Sequence, residues 1–278
     1  MKIYKFSRVL SIVPALALGW FLYKMYADHN FPYIAWSILP AAILILLYLF
    51  QPQIDYWWLD RNPVELDPEI ILLLQKTNPI YNSLDESQKA KFHKRIYLYV
   101  EGIEFKSKGY ERDIDVLYDV KNMIAQVPVT MTLNKKEFLF KDFEHIVLYK
   151  HAFPSPVYKF LHTVETHSED GVIIFSLEHA EHAFFNNSQF YNVAYHAYAE
   201  AFVKSNPKYD YPITENKQWD AVEVITGFTK DQILGTLGFE NIDLLYVLIT
   251  VYFTHQIRFR KVLPEITNRL DSIFEIRK

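Results

Sequence analysis

Residues 31 to 50 form a stretch of twenty residues without a single charged side chain. A helix of that length rises about 30 Å, which is the thickness of the hydrocarbon core of a bilayer. A second apolar segment, about residues 9 to 26, precedes it. The two segments predict a transmembrane helical hairpin over residues 1 to 50. The first segment alone could also be the apolar part of a cleaved signal peptide, but a stronger apolar segment follows it at once.

The distribution of positive charge predicts the orientation of the hairpin. Lys2, Lys5 and Arg8 precede the first segment, and Arg61 follows the second, whereas the connection from the end of the first segment, roughly Lys24 to Asn30, carries only Lys24. Lys and Arg concentrate on the cytoplasmic side of membrane spans. We therefore expect a multi-pass membrane protein with two spans in the lipid bilayer, with both termini and the soluble part in the cytoplasm.

Composition excludes several classes of protein. Half of the residues are hydrophobic and only 7 are Gly, which excludes a disordered or collagen-like chain. The net charge of -4 provides no basic surface, so we expect no nucleic-acid partner. The chain has no Cys, which excludes disulfides, thiolate zinc sites and cysteine nucleophiles. Any metal site must therefore be built from His, Asp and Glu.

The chain after the hairpin divides into a connector and one domain. Pro52, Pro63 and Pro68 break regular structure, which predicts a connector over residues 51 to 68. Residues 69 to 278 suffice for one domain of ordinary to large size. Its patterns predict an α+β class, mostly helical with a small sheet.

Local patterns predict the elements of this domain. Ser83-x-x-Glu86 matches a capping box and predicts a helix from there to about residue 105. Apolar residues at helical spacing, Ile114 among them, predict a second helix over 111 to 125. Runs rich in β-branched residues predict strands at 127 to 133, 146 to 149 and 172 to 175. Further helices are predicted over 189 to 203, over 229 to 237, and from 241 to the C-terminus with an interruption near Pro264.

The pattern that could carry chemistry lies in the helix predicted over 189 to 203. His196 and Glu200 are four residues apart and therefore lie on one face of a helix. The zincin motif H-E-x-x-H uses this spacing to offer two ligands to one metal ion, while its Glu activates a water molecule. Taken alone, a His-x-x-x-Glu pair is weak evidence, since such pairs are common on solvated helix faces.

Six segments, in order along the chain, resemble those of the Mlc titration factor A family, also called the glucose-regulated metallopeptidases. The segment NVAYHAYAEAF falls where the family has its H-E-x-x-H helix. The resemblance implies a zincin-like metallopeptidase domain with zinc as cofactor, here in a membrane-anchored branch with a degenerate motif. The resembling segments are residues 92 to 111, 120 to 133, 144 to 153, 171 to 184, 192 to 202 and 241 to 253.

The resemblance also implies roles for individual residues. His196 matches the first metal ligand of the family. Glu200 stands where the family has its second His, and Asp243 stands where it has a Glu as third ligand. Ala197 stands at the position of the general base and has no group that accepts a proton.

Two further family positions are changed in this chain. Thr236 stands where the family has a Tyr, and Thr250 where it has a second Glu. One His with two carboxylates also suits harder ions than zinc, so we expect the metal site to be altered or lost. The prediction is a catalytically impaired pseudopeptidase that binds a peptide or a protein, by family analogy a transcriptional repressor.

Two other functions remain open at this point. The protein could be an active zinc-dependent peptidase of the inner membrane with an altered ligand set, or a structural membrane scaffold. New ligands could come from His179 and His182, which are one helical turn apart. The more ordinary interpretation of this pair, and of His162 and His167, is a set of polar side chains without a metal.

Overall fold

The computed structural model describes residues 6–28, 32–62, 65–109, 115–140 and 142–276. Lys2 and Lys5, which contributed to the predicted orientation, and Ile114, which contributed to a predicted helix, lie outside the described residues. The chain divides into two compact units, Met1–Glu65 and Leu66–Lys278.

The first unit is helical. It contains α1 (Phe6–Asp28), α2 (Pro32–Leu49) and α3 (Gln51–Arg61). By length and composition, α1 and α2 are the two helices in the described part of the chain that could cross a membrane, and a signal sequence near an N-terminus meets the same criteria. Most side chains of both helices are exposed within the unit, which suits a lipid environment.

The predicted connector contains α3. Pro52 lies in the first turn of this helix, where its missing N–H costs no helical hydrogen bond. Asp55 is completely buried and accepts hydrogen bonds from the backbone N–H (2.7 Å) and the hydroxyl (2.6 Å) of Ser7. Phe6 stacks on Trp58 with ring centroids 3.9 Å apart. These contacts attach α3 to the first turn of α1.

The second unit combines many helices with a small sheet, and the predicted α+β class is confirmed. The four strands occur between residues 104 and 176, and the last seven helices follow them. The elements are α4 (Pro68–Thr77), α5 (Pro79–Asn82), α6 (Glu86–Gly102), β1 (Glu104–Lys108), α7 (Tyr118–Thr132), β2 (His145–Tyr149), β3 (Val164–His167), β4 (Val172–Ser176), α8 (Leu177–Phe185), α9 (Val193–Ser205), α10 (Gln218–Thr226), α11 (Lys230–Leu237), α12 (Leu244–Thr254), α13 (Gln256–Val262) and α14 (Pro264–Ile273).

The sheet has the order β1-β2-β4-β3. Strands β1, β2 and β4 are parallel to one another, and β3 pairs antiparallel with β4 at the edge of the sheet. Ile146 pairs with Ile173 and Leu148 with Phe175, and all four side chains are buried because they share one face of the pleated sheet. Helix α9 packs against β3 and β4. The sheet therefore places its antiparallel edge strand beside the helix that carries the predicted site.

The capping box of α6 differs from the predicted one. Asp85, and not Ser83, is the N-cap: its carboxylate accepts a hydrogen bond from the Gln88 backbone N–H at 2.8 Å, and the Gln88 side chain accepts one from the Asp85 N–H at 3.0 Å. The Ser83 hydroxyl instead donates to the carbonyl of Ile80, at the end of α5. The short helix α5 takes Ser83 as its own C-cap, so α6 starts later, at Glu86.

The strand predicted at 127 to 133 is wrong, because these residues form the second half of α7. Val127 and Val129 are completely buried, and an apolar run that is buried on all sides shows no period that separates helix from strand. Pro128 lies inside the helix, and the Thr132 hydroxyl donates to its carbonyl oxygen at 2.6 Å. The helix predicted over 111 to 125 accordingly begins later, at Tyr118.

The other predictions of elements agree better with the structure. The strands at 146 to 149 and 172 to 175 are confirmed as β2 and β4, and the helices over 189 to 203 and 229 to 237 as α9 and α11. The C-terminal helical stretch consists of α12, α13 and α14, with the last break at Pro264. Strands β1 and β3 were not predicted, since both are short and carry charged side chains among apolar ones.

Gly238 provides a test of the packing between α11 and the segment that enters β3. Its φ is +83°, and a Cβ there would lie 2.4 Å from the carbonyl oxygen of Leu161. Gly227 also has a positive φ, but a Cβ there would meet nothing within 4 Å. We expect Gly227→Ala to lower the free energy of unfolding by about 1–2 kcal/mol, because alanine is strained in the left-handed backbone conformation. Gly238→Ala should lower the free energy of unfolding by about 1–3 kcal/mol more, because the backbone at Leu161 must also shift to make room for the methyl group.

The measurement is thermal unfolding of the full chain in detergent micelles. Each kcal/mol corresponds to a shift of about 2–4 °C in Tm for a domain of this size. Equal Tm values for the two variants would contradict the close approach at Gly238.

Candidate functional site

Helix α9 lies at the centre of the second unit, in contact with β3, β4, α7 and α12. It begins at Asn192, whose side chain accepts a hydrogen bond from the Tyr195 N–H at 3.0 Å. Ala197, Ala199 and Ala201 are completely buried. Because alanine adds little bulk, the neighbouring elements can approach the backbone of α9 closely. The polar side chains of this helix are therefore held in a fixed and crowded environment.

His196 is 2% exposed and is held by Tyr191. The Tyr191 hydroxyl lies 2.8 Å from His196 Nδ1, and Tyr191 also shares a hydrogen bond with the Thr250 side chain. Burial lowers the pKa of His196 to about 3, so the imidazole is neutral at neutral pH. The Nε2 atom has no hydrogen-bond partner among the described residues. The side chain thus presents an unpaired ring nitrogen.

Glu200 is paired with a lysine of the same helix. Lys204 Nζ lies 2.7 Å from Glu200 Oε1, and the two side chains are 33% and 20% exposed. The same ammonium donates to the hydroxyl of Thr166 at 2.8 Å and to its backbone carbonyl at 3.1 Å. Lys204 therefore connects α9 to the edge strand β3 and places a positive charge directly beside Glu200.

Asp243 is the N-cap of α12. One of its carboxylate oxygens accepts a hydrogen bond from the Leu245 N–H at 2.9 Å. Burial is the largest cause that raises the pKa of Tyr246 to about 12, and the charges of Glu200 and Asp243 add to it. Since both carboxylates act on one phenol, α9 and the start of α12 present negative charge to a common space.

His196, Glu200 and Asp243 line one cavity of about 300 Å³. The structure therefore brings the three residues predicted from the sequence to a single place. Their predicted role as metal ligands stays a prediction. Other lining side chains come from the segment before β3, from β3 itself, from α9 and from the segment that leads into α12: Val157, Tyr158, Val164, Glu165, Thr166, His167, Lys204, Phe239, Asn241, Ile242 and Tyr246.

Glu165 is a member of the site that the sequence analysis missed. It is 5% exposed and lies between two imidazoles: His162 Nε2 at 3.1 Å and His167 Nε2 at 2.8 Å from its carboxylate oxygens. The Ser155 hydroxyl donates to it at 3.2 Å. The available signal was the alternation of Glu165 and His167, which places both on one face of a strand. Without a prediction of β3, the two histidines had no assigned place.

The three remaining positions named from the resemblance are Ala197, Thr236 and Thr250, and none of them offers a free polar group to the cavity. Ala197 is completely buried and carries no polar atom on its side chain. The Thr250 hydroxyl donates to the Tyr246 carbonyl at 2.7 Å. Thr236 is half-buried and lies in α11, where its hydroxyl donates to the Gln232 carbonyl. Neither threonine lines the cavity.

The alternative pair, His179 and His182, lies on α8 and outside the cavity. His179 Nδ1 is 2.8 Å from the Ser176 hydroxyl, and the ring of His182 packs 5.0 Å from that of Phe190. In the part of the chain that the structure describes, no group of three or more His, Cys, Asp or Glu side chains is arranged to hold a metal ion. This holds both for α8 and for the cavity beside α9.

Residues 55–220 match the family model described as glucose-regulated metallo-peptidase M90. This range is more than half of the 278 residues and contains α9 with the whole sheet. The chain belongs to the glucose-regulated metallopeptidase family. Asp243 and α12 follow the matched range, so the match does not bear on the third ligand position. No curated protein matches the chain.

The family implies zinc, but the surroundings of the residues predicted as ligands do not fit it. Zinc in peptidases is held by neutral imidazoles and carboxylates around one open position. Glu200 is instead paired with the Lys204 ammonium, which lies in the same cavity and would repel a divalent cation. One Asp243 oxygen is engaged at the start of α12. Only His196 keeps the character of a ligand, with a neutral ring and an unpaired Nε2 atom.

The low pKa of His196 predicts how the stability of the protein depends on pH. An unfolded His titrates near pH 6.5, so between about pH 6.5 and pH 3 the unfolded chain binds a proton that the folded chain excludes. This contribution is fully present above pH 6.5 and is lost as the pH falls. From pH 7 to pH 5 we expect His196 to reduce the free energy of unfolding by about 2 kcal/mol.

The measurement is unfolding at both pH values, with a chelator present, for the full chain and for His196→Gln. The variant keeps a polar group opposite Tyr191 but has nothing to titrate, so its loss of stability should be smaller by that amount. Parallel losses in the two proteins would contradict the buried neutral imidazole.

Proposed function

We propose that this protein is a membrane-anchored member of the glucose-regulated metallopeptidase family that lacks peptidase activity and binds a peptide or a protein segment in the cavity beside α9. Family membership supports a peptide-sized ligand. The single observation that carries the loss of activity is the composition of α9, in which Ala197 stands at the position of the general base and Lys204 neutralises Glu200.

Two physical consequences follow from this composition. General base catalysis contributes about 10²–10⁴-fold to such reactions, and the Ala197 methyl group cannot take a proton from water. Glu200 could act as base in its place, but its Oε1 atom is held by the Lys204 ammonium at 2.7 Å and would have to leave that ion pair to reach a water molecule. Polar and apolar side chains still surround the cavity, which suits recognition of a ligand.

Restoring the motif tests this proposal. The double variant Ala197→Glu, Glu200→His recreates H-E-x-x-H on α9, and we expect its affinity for zinc to rise by about tenfold or more, since even outer partners of a metal change its affinity by about 10–100-fold. The measurement is isothermal titration of the full chain with zinc. The matched control, Ala197→Gln with Glu200→Gln, should gain nothing. Equal zinc affinity in all three proteins would contradict the placement of the motif.

A peptidase assay on the unchanged protein tests the activity itself. With a library of peptides we expect no cleavage that a chelator abolishes. Cleavage that is sensitive to chelator and disappears in His196→Ala would overturn the proposal in favour of an active peptidase.

The membrane anchor is part of the proposal. Helices α1 and α2 have the length and composition of spans, and Trp57 and Trp58 follow them in α3, where amphipathic rings favour the membrane interface. Both spans together would place the second unit on the same side as the N-terminus, and the positive charges favour the cytoplasm.

Deletion of residues 1–50 should release the protein from membranes. The measurement is the distribution between the pellet and the supernatant after cell fractionation, with the full chain as control. The protein is expected to move from the pellet to the soluble fraction because both apolar helices are removed. Retention of the shortened chain in an alkali-washed membrane pellet would contradict the anchor.

A further inference from the structure

The acceptor atoms of the cavity beside α9 point to a ligand that donates hydrogen bonds. Three atoms from different parts of this site have no hydrogen-bond partner among the described residues: His196 Nε2, Glu200 Oε2 and Asp243 Oδ2. His196 is 98% buried, so its free nitrogen has little access to water outside the cavity. Carboxylate oxygens accept hydrogen bonds, and Nε2 of a neutral imidazole accepts one in the tautomer whose Nδ1–H donates to the Tyr191 hydroxyl.

The charge of the cavity points to a cation. Three carboxylates line it, from Glu165, Glu200 and Asp243, and Lys204 is the one lysine or arginine in the lining that the structure describes. The imidazoles of His162 and His167 face Glu165 and satisfy both of its oxygens. Lys204 pairs with Glu200, so the carboxylate without an ionic partner among the described residues is that of Asp243, which is exposed and acts together with Glu200 on the phenol of Tyr246.

Lys204 shows which kind of cation these surroundings accept. Its ammonium is seated between Glu200 and the two oxygen atoms of Thr166, at 2.7 to 3.1 Å. These are hydrogen bonds from N–H groups to oxygen, which an ammonium or a guanidinium makes and a bare metal ion does not. The cavity therefore already contains one organic cation, contributed by the protein itself.

The rim of the cavity is apolar and aromatic. Val157 is 61% exposed, Tyr158 is 36% exposed, and both line the cavity together with Phe239. The exposed stretch continues in sequence with Lys159 and then with the apolar residues Phe160 and Leu161. Aromatic faces attract Lys and Arg side chains, and exposed apolar residues beside a cavity favour contact with apolar groups of a ligand.

We infer that the cavity binds the side chain of a lysine or arginine of a partner polypeptide, flanked by apolar residues, with His196, Glu200 and Asp243 as acceptors. The inference rests on the proposed function, because it names the ligand of that same site. Lys204 occupies part of the acceptor set, so it competes with the ligand for Glu200. The basic side chain of the partner segment pairs with Asp243. The apolar residues next to it in the partner pack against Val157 and Tyr158.

A panel of fluorescent peptides tests this inference with the full chain in detergent micelles. The peptides are identical apart from their central residue, which is arginine, lysine, citrulline or norleucine, flanked by leucine and tyrosine. Fluorescence anisotropy reports binding. We expect the arginine and lysine peptides to bind about tenfold more tightly than their neutral counterparts, which corresponds to one charged hydrogen-bonded contact. Equal affinities, or no binding of any peptide, would overturn the inference.

Three variants test whether the preference for basic peptides arises in the cavity. Asp243→Asn should weaken the two basic peptides by about tenfold and leave the neutral ones unchanged. Glu223→Gln removes an exposed carboxylate outside the cavity, so it is the matched control for net charge and should change nothing. Lys204→Met should tighten the basic peptides by about fivefold because it frees Glu200. If Asp243→Asn and Glu223→Gln have the same effect, the attraction is a general surface effect and the inference is wrong.

Mass spectrometry of the same mixtures shows whether the peptides are cleaved. It therefore tests the proposed loss of peptidase activity separately from the proposed binding of a basic side chain. Chelator-sensitive cleavage of the peptides would refute the proposed loss of activity, whatever their order of affinity. Intact peptides without a preference for a basic central residue would refute only the cation site.

Discussion

Close packing around α9 is the constraint on which the rest of the second unit depends. Its completely buried alanines let the edge of the sheet on one side and α12 on the other approach the helix. A larger side chain at Ala197 or Ala199 would have to displace one of these neighbours. Because this packing fixes the orientation of the helix, the side chains of His196, Glu200 and Lys204 all line the same cavity.

Electrostatics explains why these changes are compatible with a stable fold. A carboxylate at position 200 in a partly buried site needs a partner, since an unpaired buried charge is costly. Lys204, one turn further along α9, supplies it and at the same time bonds to β3. His196 is stabilised differently, by its neutral state and the Tyr191 hydroxyl. Glu200 and His196 are thus each stabilised by one contact with another side chain, to Lys204 and to Tyr191.

The sequence predicted the fold class, α9 and the two central strands, because each has a long or regular pattern. It also predicted that His196 and Glu200 share one helix face, from their spacing, and added Asp243 to them through the resemblance alone. What it missed depends on tertiary contacts. The period of 127 to 133 was uninformative because every side chain there is buried, and Asp85 replaced Ser83 as a cap because α5 had already engaged Ser83. No sequence pattern indicates a role for Lys204, because its contacts with Thr166 exist only when β3 lies beside α9.

The same missing strand accounts for the part of the site that could not be predicted. Glu165 and His167 acquire meaning only when β3 runs antiparallel along β4 and faces α9. Gly238 then sets the distance between the end of α11 and the segment before β3. Because it has no side chain, its backbone can contact the backbone at Leu161. Phe239 and Asp243 follow directly after this contact. The position of a glycine with no polar group thus decides where the carboxylate of Asp243 and the aromatic wall of the cavity stand relative to His196.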